Sequence, residues 1–245
     1  MEPGPERWKH TLIKSQHDEK LSTYASETTG AGLAAVWATE NTRESIFDAM
    51  IRRETYATTG PRITVRVFAG WDFVADDVQR SDFARYGYAH GVPMGGELSN
   101  APKGKSPTLL IRALRDPDGA NLDRVQVVKG WLENGKEMEK VYDVALSDGR
   151  KAGKDGKAPS VGSTVDVKKA TYTNTIGDAL MLTHWTDPDF DPKERAFYYV
   201  RVIEIPTPRW TAYDAQRFGI EMSDEIQMEH QERAYTSSIW YTPGS

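Results

Sequence analysis

The side chains with the widest chemical range in this 245-residue chain are its five histidines, His10, His17, His90, His184 and His230. Imidazole titrates near neutrality and ligates metals. A hydrolytic metal site needs several His and carboxylate ligands converging on one point. No histidine here lies in an His-x-His, His-x-x-x-His or Asp-x-His arrangement. Only convergence from distant parts of the chain remains, and each histidine is read first as a surface or hydrogen-bonded residue.

The carboxylate-rich loops invite a second chemistry. Asp116, Asp118 and Asn121 place oxygens as a hard cation would want them, but no glutamate closes the loop and Asp116-Pro117-Asp118-Gly119 reads as a β-turn. Asp187, Asp189 and Asp191 are explained in the same way by two Asp-Pro turns. Gly-x-Ser-x-Gly, the phosphate-binding Gly-x-x-x-x-Gly-Lys and a dinucleotide-binding glycine pattern are all absent. Gly91 to Gly96 reads as a turn. Arg52, Arg53 and Arg62, with the Thr58-Thr59-Gly60 backbone, could line an anion site; equally, the first two arginines could cap a helix. Trp71, Trp131, Trp185, Trp210 and Trp240 could form a carbohydrate platform, although large aromatics in a sandwich are usually core.

Composition narrows the classes further. With no cysteine, a disulfide scaffold and a cysteine-ligated metal centre are excluded. A net charge of −5 offers no electrostatic footprint for nucleic acid, which binds clustered Lys and Arg. The longest apolar run, Gly32 to Ala38, is far short of the roughly 18 residues of a membrane span. The Met-Glu-Pro-Gly-Pro-Glu start has neither the basic nor the apolar region of a signal peptide. A soluble chain with no membrane partner is expected, in a compartment left open.

The elements that must position any site fall into two parts. Residues 1–30 read as a loop or docked arm. Leu33 to Ala38 reads as a buried strand, and Asn41 with Glu44 as a capping box opening a helix. On that helix Ile46, Phe47, Met50 and Ile51 share one face, and Glu54 to Gly60 is a loop. Beyond Pro61 the apolar period changes from 3.6 to 2. Strands are expected from Ile63 to Val67, 109–114, 124–132, 140–146, 164–174, 180–185, 196–205 and 237–241. Turns at Asp116 to Gly119, Glu133 to Gly135 and Asp187 to Pro192 connect them. The segment 147–163 reads as a long hairpin loop, 211–218 as a helix, and 221–232 as acidic and exposed. This predicts a mainly β fold, an antiparallel β-sandwich over residues 61–245 preceded by a short strand–helix unit within 1–60.

Longer stretches resemble a known family. Gly32 to Ala38, Glu40 to Glu44, Arg52 to Ile63, Phe68 to Phe73, Pro93 to Gly96, Asp116 to Asp123, Val128 to Trp131, Arg195 to Val202 and Pro206 to Trp210 are similar, in the same order, to the C-terminal half of the bacterial family catalogued as domain of unknown function 3604. That family is similar to the polymerase and histidinol phosphatase superfamily, whose members hydrolyse phosphoesters with metals held in a distorted β/α barrel. The resemblance implies a parent hydrolase using divalent Mn, Zn or Fe on a small-molecule phosphoester. Its ligand-bearing His-x-His and Ser-Asp-x-His segments have no counterpart here.

The resulting expectation is a C-terminal β-sandwich that supports the substrate cleft of such a hydrolase. Residues 1–60 would complete an otherwise missing barrel, and the chain alone would be inactive and hold no cofactor. Its partner would be the missing barrel or a second copy of itself. Arg62, His90 and Arg209 are the candidate substrate-cleft residues, because they flank the matched motifs and can meet an anion. The rival expectation is a stand-alone sandwich that binds a glycan or protein through Trp71, Trp210 or the Asp-Pro loops.

Overall fold

The structure, a computed structural model, describes residues 2–14, 16, 22–153 and 158–244. His17 and residues 154–157 of the expected hairpin loop lie outside the described residues. In chain order the elements are β1 (Thr11–Ile13), β2 (Thr23–Tyr24), β3 (Leu33–Val36), α1 (Arg43–Ile51), β4 (Thr55–Thr58), β5 (Thr64–Gly70), α2 (Phe83–His90), β6 (Val92–Pro93), β7 (Glu97–Ser99), β8 (Thr108–Leu114), β9 (Leu122–Glu133) and β10 (Lys136–Leu146). They continue with β11 (Leu180–Thr186), β12 (Ala196–Glu204), β13 (Thr207–Pro208), α3 (Trp210–Phe218), β14 (Glu229–His230), β15 (Arg233–Thr236) and β16 (Ile239–Thr242).

The alternating segments build two facing sheets. One runs β10-β9-β12-β15-β4-β3, with β16 also beside β12 and β7 on β16; the other runs β11-β8-β5-β6. Every pairing in them is antiparallel except β16 with β7. On β12, Ala196, Tyr198, Val200 and Val202 are buried while Phe197, Tyr199, Arg201 and Ile203 are half-buried on the other face. The inward sets of both sheets meet in one core, including Val65, Val67, Leu109, Ile111, Val125, Val127, Val200 and Val202. Each such side chain stabilises the fold by about 1.5–3 kcal/mol when fully buried. A second, smaller core of Phe68, Phe73, Val78, Phe83 and Leu110 lies beneath α2. There Gly87 is required by packing, since a Cβ on it would overlap the Phe68 ring.

The mainly β, antiparallel reading is what the structure shows. Several local readings change. The helix starts one residue later than the capping box suggested: Thr42, not Asn41, is the N-cap, its Oγ1 accepting from the Ser45 N–H at 3.3 Å. The Leu33 strand is an exposed sheet edge rather than a buried strand, with Leu33 itself 44% accessible. Thr55–Thr58 is a strand rather than a loop, pairing β3 on one side and β15 on the other. The large sheet therefore continues across residue 60. Residues 164–174 form no strand; a single bridge joins Asp166 and Thr171 around a turn in which Ala170 takes φ +49°. α2 has no counterpart among the expected elements. Within 221–232, residues 229–232 are half-buried, and β14 pairs with β13.

The arm is docked, as one of its two readings had it. Arg209, 3% accessible, donates from its guanidinium to the Ser26 and Thr28 carbonyls, each at 2.5 Å. Trp210 Nε1 donates to the Thr28 carbonyl at 2.8 Å, and Arg7 lies 4.1 Å over the Trp210 ring while donating to Asp214. No described helix is long and apolar enough to cross a membrane.

Candidate functional site

A polar concavity opens where β4 ends and the 206–209 and 227–235 segments pass each other. It has a volume of about 440 Å³, and its walls include Glu27, Thr29, Thr59, Arg209, His230 and Glu232. β15 pairs with β4, so Thr59, just past β4, is brought beside the chain leading into β15. The residues His230 and Glu232 stand two apart in an extended segment, a spacing that puts both side chains on one face.

There they meet. His230 Nε2 lies 3.0 Å from Glu232 Oε1. The Thr59 hydroxyl donates to Glu232 Oε2 and accepts from the Arg233 N–H at 2.9 Å. Burial alone would raise the Glu232 carboxyl, but the bonds from His230 and Thr59 outweigh it and hold the group below the usual carboxylate range. Glu232 is thereby kept ionised.

Its neighbour behaves oppositely. Glu204 ends β12 in the inward phase, is 1% accessible, and its Oε1 has no hydrogen-bond partner among the described residues. Burial first, then the negative charges of Glu232 and Asp116, push its carboxyl up to about 8. Two adjacent carboxyls driven apart in this way are the arrangement that general acid–base chemistry uses. Glu204 is too enclosed to reach a substrate, so here the split is a feature of folding energetics.

The three residues expected at a shared cleft do not assemble one. Arg209 lines the concavity, but its guanidinium is committed to the arm, and desolvation lowers its pKa. Arg62 lies 64% exposed at the Asp116 turn; its backbone N–H donates to Asp116 Oδ2 at 2.6 Å and its guanidinium to Asp118 Oδ2 at 2.6 Å. His90 ends α2, stacked 4.1 Å from Tyr86 with Nδ1 at 3.0 Å from the Tyr86 carbonyl. Arg52 caps α1 and faces Glu54 at 3.7 Å. Of the expected anion cluster, Arg52 and Arg62 are thus divided between separate carboxylate partners.

The acidic loops are turns with their oxygens in use. Asp116 accepts from the Asp118 N–H at 3.0 Å, and its carbonyl from the Gly119 N–H at 2.9 Å. Asp187, buried, accepts from the Tyr198 hydroxyl at 2.7 Å and pairs with the equally buried Lys129 at 2.7 Å. Trp71, Trp131 and Trp185 pack against the main core. Trp240 departs from the core reading: it is 48% exposed, beside Phe197 at 5.3 Å.

The divalent metal implied by the resemblance would need several His and carboxylate ligands at one point. Among the described residues no group of three or more His, Asp or Glu side chains could hold a metal ion. His230 and Glu232 meet, but the third side chain on them is a threonine.

Fold and site define a predominantly antiparallel β-sandwich with a docked N-terminal arm and a polar cleft. Residues 2–243 match the model of the family described as Protein of unknown function (DUF3604), and the chain belongs to that family. Comparison with curated proteins and with solved structures returns no match.

Proposed function

We propose that this chain is the non-catalytic β-sandwich portion of a metal-dependent phosphoesterase-like hydrolase, supporting a substrate cleft whose metal ligands lie in other chain segments. The observation that carries the reading is the allocation of its polar side chains. His230, Glu232, Asp116, Asp187 and Arg209 are each bound to donors or acceptors of the chain itself, and none joins a ligand cage. Without such a cage a metal cannot lower the pKa of a bound water.

Within this reading Arg209 is a positioning residue. By holding the carbonyls of Ser26 and Thr28 it fixes the arm whose Glu27 and Thr29 form one wall of the cleft. The exposed apolar side chains Leu33, Phe47, Met50 and Ile51 supply the surface for the rest of the hydrolase or, in the isolated chain, for a second copy.

Incubating the purified chain with Mn²⁺ or Zn²⁺ and a chromogenic phosphoester is expected to give no turnover above the metal-only blank. A robust rate abolished by His230→Ala would overturn the proposal. Sedimentation at rising concentration is expected to show self-association that Phe47→Glu with Ile51→Glu removes.

A further inference from the structure

The outer face of the large sheet carries a second concavity, of about 640 Å³, unrelated to the polar cleft. Its floor follows from strand register. Glu139, Gly130, Phe197 and Trp240 stand opposite one another on β10, β9, β12 and β16. The next row outward holds Glu137 and Leu132, with Arg195 bonded through its carbonyl to the Leu132 N–H at 3.3 Å. Four strands at about 4.8 Å spacing make this row about 14 Å across.

Gly130 gives the floor its shape. A Cβ there would overlap the Phe197 ring, so the ring lies across the space that a side chain would fill. Trp240 stands beside Phe197, ring centroids 5.3 Å apart and planes tilted by 47°, and is half exposed. Phe197 is half-buried and Trp240 exposed, so this pair lies on the outer face of the sheet.

The rim is the second observation. Arg195, Glu137 and Glu139 border the groove and are exposed, and none has a side-chain hydrogen bond or ion pair among the described residues. Three unpaired, directional polar groups around an apolar floor make a recognition site of the ordinary kind.

We propose that this groove binds a neutral oligosaccharide. The C–H face of a pyranose ring carries slight positive charge and suits the negative face of an indole or phenyl ring. Its hydroxyls both donate and accept, so they satisfy the two carboxylates and the guanidinium together. A polyanion would meet two carboxylates against one arginine, and an apolar helix would leave all three charges desolvated and unpaired. The breadth of the floor suits a short run of sugar rings. This inference is independent of the hydrolase reading.

The test is affinity electrophoresis of the full chain through gels containing β-glucan, xylan, galactomannan or, as a polyanion, polygalacturonate. Retardation by at least one neutral polysaccharide is expected, at least tenfold weaker in Trp240→Ala, with the unfolding midpoint of that variant unchanged. Gly130→Ala keeps both aromatic rings but lifts Phe197, and it should weaken retardation too. No retardation by any neutral polysaccharide, equal retardation of Trp240→Ala, or retardation by polygalacturonate alone would overturn the proposal. So would sedimentation showing that Trp240 instead joins two copies of the chain.

Discussion

Replacing Glu204 with glutamine should make the protein more stable at neutral and alkaline pH while changing little in mild acid. The folded chain keeps this carboxyl protonated up to about pH 8, against 4.5 for the free group. Between those values the unfolded chain has released a proton that the folded chain retains, so stability falls as pH rises, by about 1.4 kcal/mol per pH unit. At pH 7 the accumulated cost is about 3 kcal/mol, and it reaches its full size once pH exceeds the folded value. The glutamine amide carries no ionisation and would place an N–H₂ group beside the negative charges of Glu232 and Asp116 that oppose Glu204. For a chain of this length about 3 kcal/mol corresponds to roughly 6–12 °C in unfolding midpoint. The assay is thermal and urea unfolding of the wild type and Glu204→Gln at half-unit steps from pH 5 to pH 9. The wild-type midpoint should decline through this window and the variant should decline less, the two converging near pH 5. Parallel profiles, or a variant weaker by the same amount at pH 5 and pH 8, would refute the assignment of the falling limb to Glu204.

Other perturbations follow from the same contacts. Arg209→Met removes the donor to the Ser26 carbonyl and one of two donors to the Thr28 carbonyl, which keeps the Trp210 Nε1 bond, and should cost about 2–4 kcal/mol, read as a lowered midpoint and faster proteolysis within residues 22–30; Arg209→Lys should not restore both bonds, because a single ammonium lacks the guanidinium fork. Lys129→Met strands the buried Asp187 charge and should cost about 3–5 kcal/mol by urea unfolding, with much of it recovered in Lys129→Met/Asp187→Leu. His230→Ala removes a bond that lowers the Glu232 carboxyl. Because a depressed carboxyl stabilises the fold above its unfolded value and loses that contribution as pH falls, the acid unfolding limb of this variant should move to higher pH.

What the sequence disclosed, and what it hid, divides along local and long-range physics. The Asp116-Pro117-Asp118-Gly119 turn and the strands it joins are local matters of turn chemistry and alternation, and both are found with small changes of boundary. The 164–174 segment has strand-forming Val, Thr and Tyr, yet among the described residues no neighbouring strand offers it a ladder, so propensity loses to tertiary context. β4 departs in the opposite direction: four residues become a strand because β15, remote in sequence, pairs with them. The face of α1 is evident from helical spacing, but spacing says nothing about what covers a face, and Phe47, Met50 and Ile51 are exposed. For the cleft, His-x-Glu at 230–232 is a readable signal, since alternate residues of an extended segment share a face; the surrounding acidic residues mask it. Its Thr59 partner is brought in only by the β4–β15 pairing. Trp240 is likewise readable as the outward member of Ile239-Trp240-Tyr241, whose neighbours are both buried.

Whether this sandwich contains a metal centre of its own is tested most directly by calorimetric titration of the full, metal-free chain with Mn²⁺ and then Zn²⁺. No saturable stoichiometric binding of either ion is expected. A one-to-one or two-to-one site that disappears in His230→Ala or Glu232→Gln would contradict the non-catalytic role proposed for the chain.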